Sequence, residues 1–190
     1  MTNSFTRALA VCALAAASAA PALAASDLTG KTVNVDWQFP DASTNFATDS
    51  VVVGPGPEIQ CAGGEVGTGL CAGFVDAATI DLGANTLSLS IDSGTASWTG
   101  ATFNGYEFSN LSAGGTWSGY SLATTFAGLT SADVTFTPDA VSVNMQGIVP
   151  TAGESFTITL IPSAVPEPDS LALMLAGVGA LASIARRRRA

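Results

Sequence analysis

The 190-residue chain contains no histidine. This absence excludes Ser-His-Asp triads and the usual general base near neutral pH, and it removes the imidazole ligand of the common zinc sites. Cysteine is also scarce, with three in the whole chain. Histidine-based catalysis and a thiolate-rich metal centre are therefore excluded by composition alone.

Basic residues are few and unevenly distributed. Five of the six lie near the chain ends, at position 7 and at positions 186–189. Between residues 25 and 168 the single base Lys31 stands against 14 acids, a net charge of −13. A domain this anionic repels nucleic acid and anionic lipid surfaces, so we expect no nucleic-acid partner.

The first 24 residues follow the pattern of a secretory signal peptide. Arg7 supplies the positive start, residues 8–20 form an almost purely apolar run, and Pro21 breaks it. The small residues that follow predict cleavage by signal peptidase between Ala24 and Ala25. A short membrane anchor is the alternative, but a span needs about 20 apolar residues and this run has 13.

The C-terminus has three parts in a fixed order. A stiff, extended tetrapeptide comes first, because each proline fixes its own backbone angle and disfavours helix in the residue before it: Val165, Pro166, Glu167 and Pro168. Residues 170–185 then carry no charge and, as a helix, would cover about 24 Å of a ~30 Å hydrocarbon core. A basic cluster follows, which orients its end towards the cytoplasm: Arg186, Arg187, Arg188 and Arg189.

This order resembles the PEP-CTERM sorting signal of Gram-negative bacteria, with the motif at 165–168, the transmembrane helix at 170–185 and the arginines at 186–189. The resemblance implies recognition and cleavage near Glu167 by exosortase, a membrane enzyme, after transient residence in the inner membrane. It also implies a host that makes exopolysaccharide, and delivery to the cell surface or extracellular matrix. A permanent single-pass anchor is the alternative.

The segment between the two ends, residues 25–164, is expected to be an all-β passenger domain. Apolar residues alternate with polar ones around Val35, Leu89, Val143 and Ile158, and turn signals recur about every ten residues. Such a pattern predicts an antiparallel β-sandwich, jelly-roll-like or an open barrel, with essentially no helix. The dipeptide at 104–105, Asn-Gly, predicts a turn.

Two cysteines, Cys61 and Cys71, remain after removal of the signal peptide. An even pair in an exported chain favours a disulfide. A redox pair or a metal site has no support, since no histidine and no further cysteine completes a ligand set.

Carboxylates are the plentiful ionisable groups. They are scattered singly, and nothing in the sequence pairs any two as a glycosidase requires; the candidates considered are Asp76, Asp81, Asp92, Glu107 and Asp139. We therefore predict no catalytic residues, no metal site and no cofactor. Calcium stays open as an alternative because its oxygen ligands are abundant, although the chain has no calcium-binding loop motif.

Aromatic residues in Gly/Ser/Thr-rich surroundings are candidates for stacking on a sugar: Trp98, Trp117 and Tyr120. Packing in a sandwich core is the favoured interpretation of these residues, with sugar contact as the alternative. Trp37 shares a strand face with Val33 and Val35, which favours the core.

These features favour an exported, non-enzymatic protein of the cell surface or extracellular matrix, processed by exosortase and associated with exopolysaccharide or biofilm. A carbohydrate-binding module that uses the three aromatic candidates is the first alternative. A secreted carboxylate-based hydrolase is a weaker one.

Overall fold

The computed structural model describes residues 26–163, together with Gly177. The predicted signal-peptide cleavage site, the tetrapeptide at 165–168 and the arginine cluster lie outside the described residues, as does the predicted membrane helix apart from Gly177. Within the described part of the chain, no helix is both long enough and apolar enough to cross a membrane.

Ten strands form the domain. In chain order they are β1 (Thr32–Gln38), β2 (Asn45–Val52), β3 (Ile59–Cys61), β4 (Ala78–Leu82), β5 (Thr86–Ile91), β6 (Gly105–Ser109), β7 (Trp117–Thr124), β8 (Val134–Phe136), β9 (Ala140–Asn144) and β10 (Ser155–Pro162). Short 3₁₀ helices lie at Gly69–Gly73, Leu111–Gly114 and Ser131–Asp133, and residues 26–163 contain no α-helix. The predicted all-β class is confirmed.

The strands make two five-stranded sheets, and every pairing is antiparallel. Sheet A has the order β2-β1-β6-β9-β8, and sheet B has the order β3-β4-β5-β10-β7. Apolar residues from both sheets form one buried cluster, so the arrangement is sandwich-like. Each sheet keeps two edge strands within residues 26–163.

In the central strands, apolar and polar residues alternate strictly, so the apolar side chains all lie on one face. In β5, Leu87, Leu89 and Ile91 are at most 1% exposed, while the serines and threonine between them are only partly buried. β10 pairs with β5 in register and places Phe156 and Ile158 in the same core. A period of two therefore separates core-facing from solvent-facing side chains, as the sequence predicts.

The predicted turn at Asn104 and Gly105 is wrong. Gly105 is the first residue of β6, paired with Gln38 on one side and with Asn144 on the other. A Cβ at this position would run into the carbonyl oxygen of Val143, so the glycine permits the close approach of β9. Here glycine serves strand packing, and its backbone is not left-handed.

The disulfide predicted between Cys61 and Cys71 is present, with the two Cα atoms 5.0 Å apart. Cys61 ends β3, and Cys71 lies in the first 3₁₀ helix. The backbone N–H of Leu70 in that helix donates to Asp49 Oδ2 on β2 at 2.9 Å. The cross-link and this hydrogen bond together hold the 3₁₀ helix, including Gly73 at its end, beside sheet A.

Candidate functional site

Two of the three aromatic candidates for sugar contact lie in the core. Trp98 and Trp117 are each 2% exposed, and Trp117 Nε1 donates to the carbonyl oxygen of Leu111 at 2.9 Å. Neither indole presents a ring face to solvent, which fits the favoured interpretation of core packing rather than sugar contact. Small polar neighbours in the sequence do not keep a large aromatic ring at the surface, because ring burial is strongly favourable.

Tyr120, the third candidate, lies on the edge strand β7 and is partly buried. Its ring centroid is 5.9 Å from that of Phe136, and its hydroxyl donates to the carbonyl oxygen of Ser131 at 3.1 Å. It borders a wide, open cavity of about 790 Å³ along β7. The three candidates do not form one site.

A different aromatic group forms a more suitable site. Trp37 packs on the core but is only partly buried. Its ring centroid lies 5.2 Å from that of Phe46, 5.8 Å from that of Phe74 and 5.8 Å from that of Tyr106. Phe46 is 59% exposed. This cluster therefore runs from the core at Tyr106 to the surface at Phe46.

The Trp37 groove is the open cavity of about 410 Å³ beside this cluster. Its apolar lining comes from Trp37, Phe39 and Phe46, and its polar lining includes Glu65 and Asn104. Its remaining lining residues are Ala72, Gly73, Ser97 and Thr99. A concave apolar surface with a few polar groups is the usual form of a small-ligand site.

A bulge in β2 explains why Phe46 points outwards. Trp37 pairs with Ala47, whereas the next residue, Gln38, pairs with Asn45, so Phe46 is the extra residue of β2. A bulge bends the strand locally and re-aims a side chain. It places the Phe46 ring over the edge of sheet A, against Trp37.

Hydrogen bonds fix the polar side of the groove. Trp37 Nε1 donates to Asn104 Oδ1 at 2.9 Å, and Asn104 Nδ2 donates to the carbonyl oxygen of Thr99 at 3.0 Å. Glu65 holds a left-handed backbone conformation, with φ 55°, and its N–H donates to the carbonyl oxygen of Phe74 at 2.8 Å. The groove thus combines an aromatic wall, held in place by Asn104, with the Glu65 carboxylate, which can accept hydrogen bonds from hydroxyls.

Gly73 lets the disulfide-bonded loop approach the aromatic wall. A Cβ on Gly73 would overlap the six-membered ring of Trp37. The glycine therefore allows the 3₁₀ helix to lie directly against that ring. Sequence reasoning missed this site because Trp37, Phe46 and Gly73 converge only through strand pairing and the disulfide.

The predicted carboxylate candidates have mostly local roles. Asp76 Oδ2 accepts from the N–H of Thr95 at 3.0 Å, and Asp92 accepts hydrogen bonds from the hydroxyls of Thr79 and Ser90. Hydrogen bonding from Ser112 lowers the pKa of Asp139. Asp81 is exposed on β4. Among the described residues, no group of three or more His, Cys, Asp or Glu side chains could hold a metal ion.

One carboxylate pair was not predicted from the sequence. Asp36 on β1 stands directly opposite Glu107 on β6, on the face of sheet A that points away from the core. Asp36 is 8% exposed. The pairing depends on the register of two strands that are far apart in the chain, which residue patterns do not reveal.

Two buried polar atoms beside the aromatic cluster lack partners. Neither Trp98 Nε1 nor the Tyr106 hydroxyl has a hydrogen-bond partner among residues 26–163, and their rings lie edge to face, 6.1 Å apart. Burial raises the pKa of Tyr106 well above its usual value, and the nearby indole of Trp98 offsets this only in part. Tyr106 is therefore a neutral phenol in the folded domain.

Residues 164–189 match the family described as the PEP-CTERM protein-sorting motif. The chain carries a PEP-CTERM sorting motif. This match confirms the resemblance expected from the tetrapeptide, the apolar run and the arginines. The PEP-CTERM motif implies an exported protein directed to exosortase for sorting. No curated protein and no solved structure matches the chain.

Proposed function

We propose that the chain is a non-enzymatic protein of the cell surface or extracellular matrix, whose β domain contacts exopolysaccharide through the Trp37 groove. The observation that carries the proposal is the aromatic wall of Trp37, Phe39 and Phe46 beside the carboxylate of Glu65, with the Trp37 indole held by Asn104. Sugars stack their apolar faces on such rings and bond polar groups through their hydroxyls.

The sorting motif supports the surface location. A chain sent across the inner membrane and released from its C-terminal signal leaves an anionic β domain outside the cell. Lys31 is the only basic residue between residues 26 and 163. Contact with a polysaccharide at the groove therefore depends on stacking and hydrogen bonds rather than on attraction of anionic groups.

A hydrolase is less well supported than a binding module. The directly opposed carboxylates, Asp36 and Glu107, lie on the opposite face of β1 from Trp37 and outside the groove. A glycosidase needs its two carboxylates on either side of the bound sugar. Glu65 is the one carboxylate among the residues that line the groove.

The test compares two exposed apolar residues of similar accessibility. Phe46 is 59% exposed inside the groove, and Val149 is 56% exposed elsewhere. Processed protein recovered from cells is mixed with exopolysaccharide isolated from the same host, and binding is measured by co-sedimentation. One stacked ring contributes about 1 kcal/mol of binding free energy, so Phe46→Ala should bind the polysaccharide roughly fivefold more weakly than the wild type.

Val149→Ala serves as the matched control and should bind like the wild type. Equal binding by Phe46→Ala and Val149→Ala would contradict the groove assignment. If the wild-type protein fails to bind the polysaccharide, the proposed partner is wrong.

A further inference from the structure

The Asp36–Glu107 pair is an unusual placement for two acids. In the register of β1 and β6 these residues are directly opposite, and the flanking pairs Val35–Phe108 and Trp37–Tyr106 point into the core. Directly opposed residues of an antiparallel pair have Cβ atoms about 4.5–5.5 Å apart. Like charges at that separation destabilise a sheet.

One oxygen of each carboxylate accepts a hydrogen bond from a hydroxyl group on a neighbouring strand. Thr48 Oγ1 donates to Asp36 Oδ1 at 2.6 Å, and Ser142 Oγ donates to Glu107 Oε2 at 3.0 Å. The second oxygen of each acid accepts no hydrogen bond from residues 26–163.

A third oxygen lies on the same face. Gln38 is two residues along β1 from Asp36 and diagonal to Glu107, opposite Gly105. It is 5% exposed, and its Oε1 has no hydrogen-bond partner among residues 26–163. A buried acceptor without a donor costs about 1–3 kcal/mol. Together with the two opposed carboxylates, this oxygen gives the face three groups that a positively charged ligand would bind.

No side chain of the domain supplies that charge. Lys31 is the single base between residues 26 and 163, and it lies five residues before Asp36, about 16 Å along a strand. Within residues 26–163, no base therefore compensates the opposed charges.

We propose that Asp36, Gln38 and Glu107 form a binding site for a divalent cation on the outer face of sheet A. Two carboxylates and an amide oxygen are the hard ligands that Ca²⁺ takes, and water completes its coordination. The cation would neutralise the opposed charges and give Gln38 Oε1 its partner. The site is independent of the Trp37 groove, which lies on the other face of β1.

Calorimetric titration of the full chain in detergent, freed of metal by a chelator and titrated with CaCl₂, tests the site. One saturable Ca²⁺ per chain is expected for the wild type. Glu107→Gln and Asp36→Asn each remove one charge at nearly constant size and should weaken binding at least about tenfold. Asp81→Asn removes the same charge from an exposed position on sheet B and should bind like the wild type.

Thermal unfolding with and without Ca²⁺ separates loss of the site from loss of the fold. In chelator, Glu107→Gln should melt at the same temperature as the wild type or higher, because the repulsion is gone. Ca²⁺ should raise the melting temperature of the wild type and of Asp81→Asn but not that of Glu107→Gln. Absence of saturable binding by the wild type, or equal affinity of Glu107→Gln and wild type, would overturn the proposal.

Discussion

Trp37 Nε1 donates a hydrogen bond to Asn104 Oδ1 at 2.9 Å, joining residues 67 positions apart in the chain. Asn104 is 3% exposed, and its backbone carbonyl accepts from the N–H of Met145 at 2.9 Å. The indole is therefore held at the groove by a residue that is itself fixed between two strands of sheet A.

Replacing Asn104 should destabilise the domain. Asn104→Ala removes the acceptor of the Trp37 indole N–H and the donor to the Thr99 carbonyl, a loss of about 1–3 kcal/mol. Asn45→Ala is the control, because Asn45 is exposed at the start of β2 and should change stability by less than about 0.5 kcal/mol. Urea denaturation of both variants measures the difference, and an equal effect of the two would contradict the role of the Trp37–Asn104 bond.

Gly73→Ala should disturb the aromatic wall directly. The new methyl group would overlap the Trp37 ring, and overpacking of this kind costs about 1–3 kcal/mol. Gly56→Ala is a matched control, since no atom lies within 4 Å of its added Cβ and its φ is not positive. Denaturation and tryptophan fluorescence should change for Gly73→Ala alone. Two indistinguishable variants would show that the loop does not press on Trp37.

The strands that were predicted are those with strong apolar contrast. β5, β9 and β10 alternate between buried aliphatic and polar residues. β2 and β7 are edge strands with mostly exposed or partly buried residues, so hydrophobic alternation hardly marks them. The Asn104-Gly105 segment was wrongly predicted as a turn, because pairing with the distant residues Gln38 and Asn144 places Gly105 in a strand.

The candidate site was even less accessible to sequence reasoning. Trp37 was expected in the core because it shares a face with Val33 and Val35, and its ring does contact that core. One side of the Trp37 ring is exposed because the β2 bulge and the disulfide-bonded loop do not cover it completely. Such a gap is a property of tertiary packing and leaves no periodic signal.

Breaking the disulfide should lower stability and loosen the groove. Cys61 and Cys71 are separated by ten positions, and closure of a loop this short contributes about 2–3 kcal/mol in the chain-entropy model. A double Cys61→Ala, Cys71→Ala variant should lose about that much in urea denaturation, and reductant should not affect it further. Intact mass with thiol alkylation of freshly exported wild type should show no free thiol; full alkylation of both cysteines would contradict the cross-link.

Tyr106 should make the stability of the domain depend on pH in the alkaline range. Its folded pKa is raised by burial, whereas the unfolded residue titrates near about 10. The stability that depends on the neutral phenol is therefore complete below that pH and is lost as pH rises through the folded pKa. Tyr106→Phe should unfold with a weaker pH dependence between about pH 9 and 11.

At neutral pH, Tyr106→Phe should be as stable as the wild type or more stable, because the hydroxyl has no hydrogen-bond partner within the described domain. Tyr120 is the only other tyrosine of the chain. Tyr120→Phe loses the hydrogen bond to Ser131, so its free energy of unfolding should fall by about 1 kcal/mol. Equal losses for both variants at neutral pH would contradict the unpartnered state of Tyr106.

The most direct test of export and exosortase sorting is the C-terminal mass of protein recovered from the cell surface. We predict that the recovered wild-type protein lacks residues 170–190, and that Glu167→Ala accumulates at full length in the inner membrane. Surface protein that still carries residues 170–190 would contradict the account and would identify the segment as a permanent anchor.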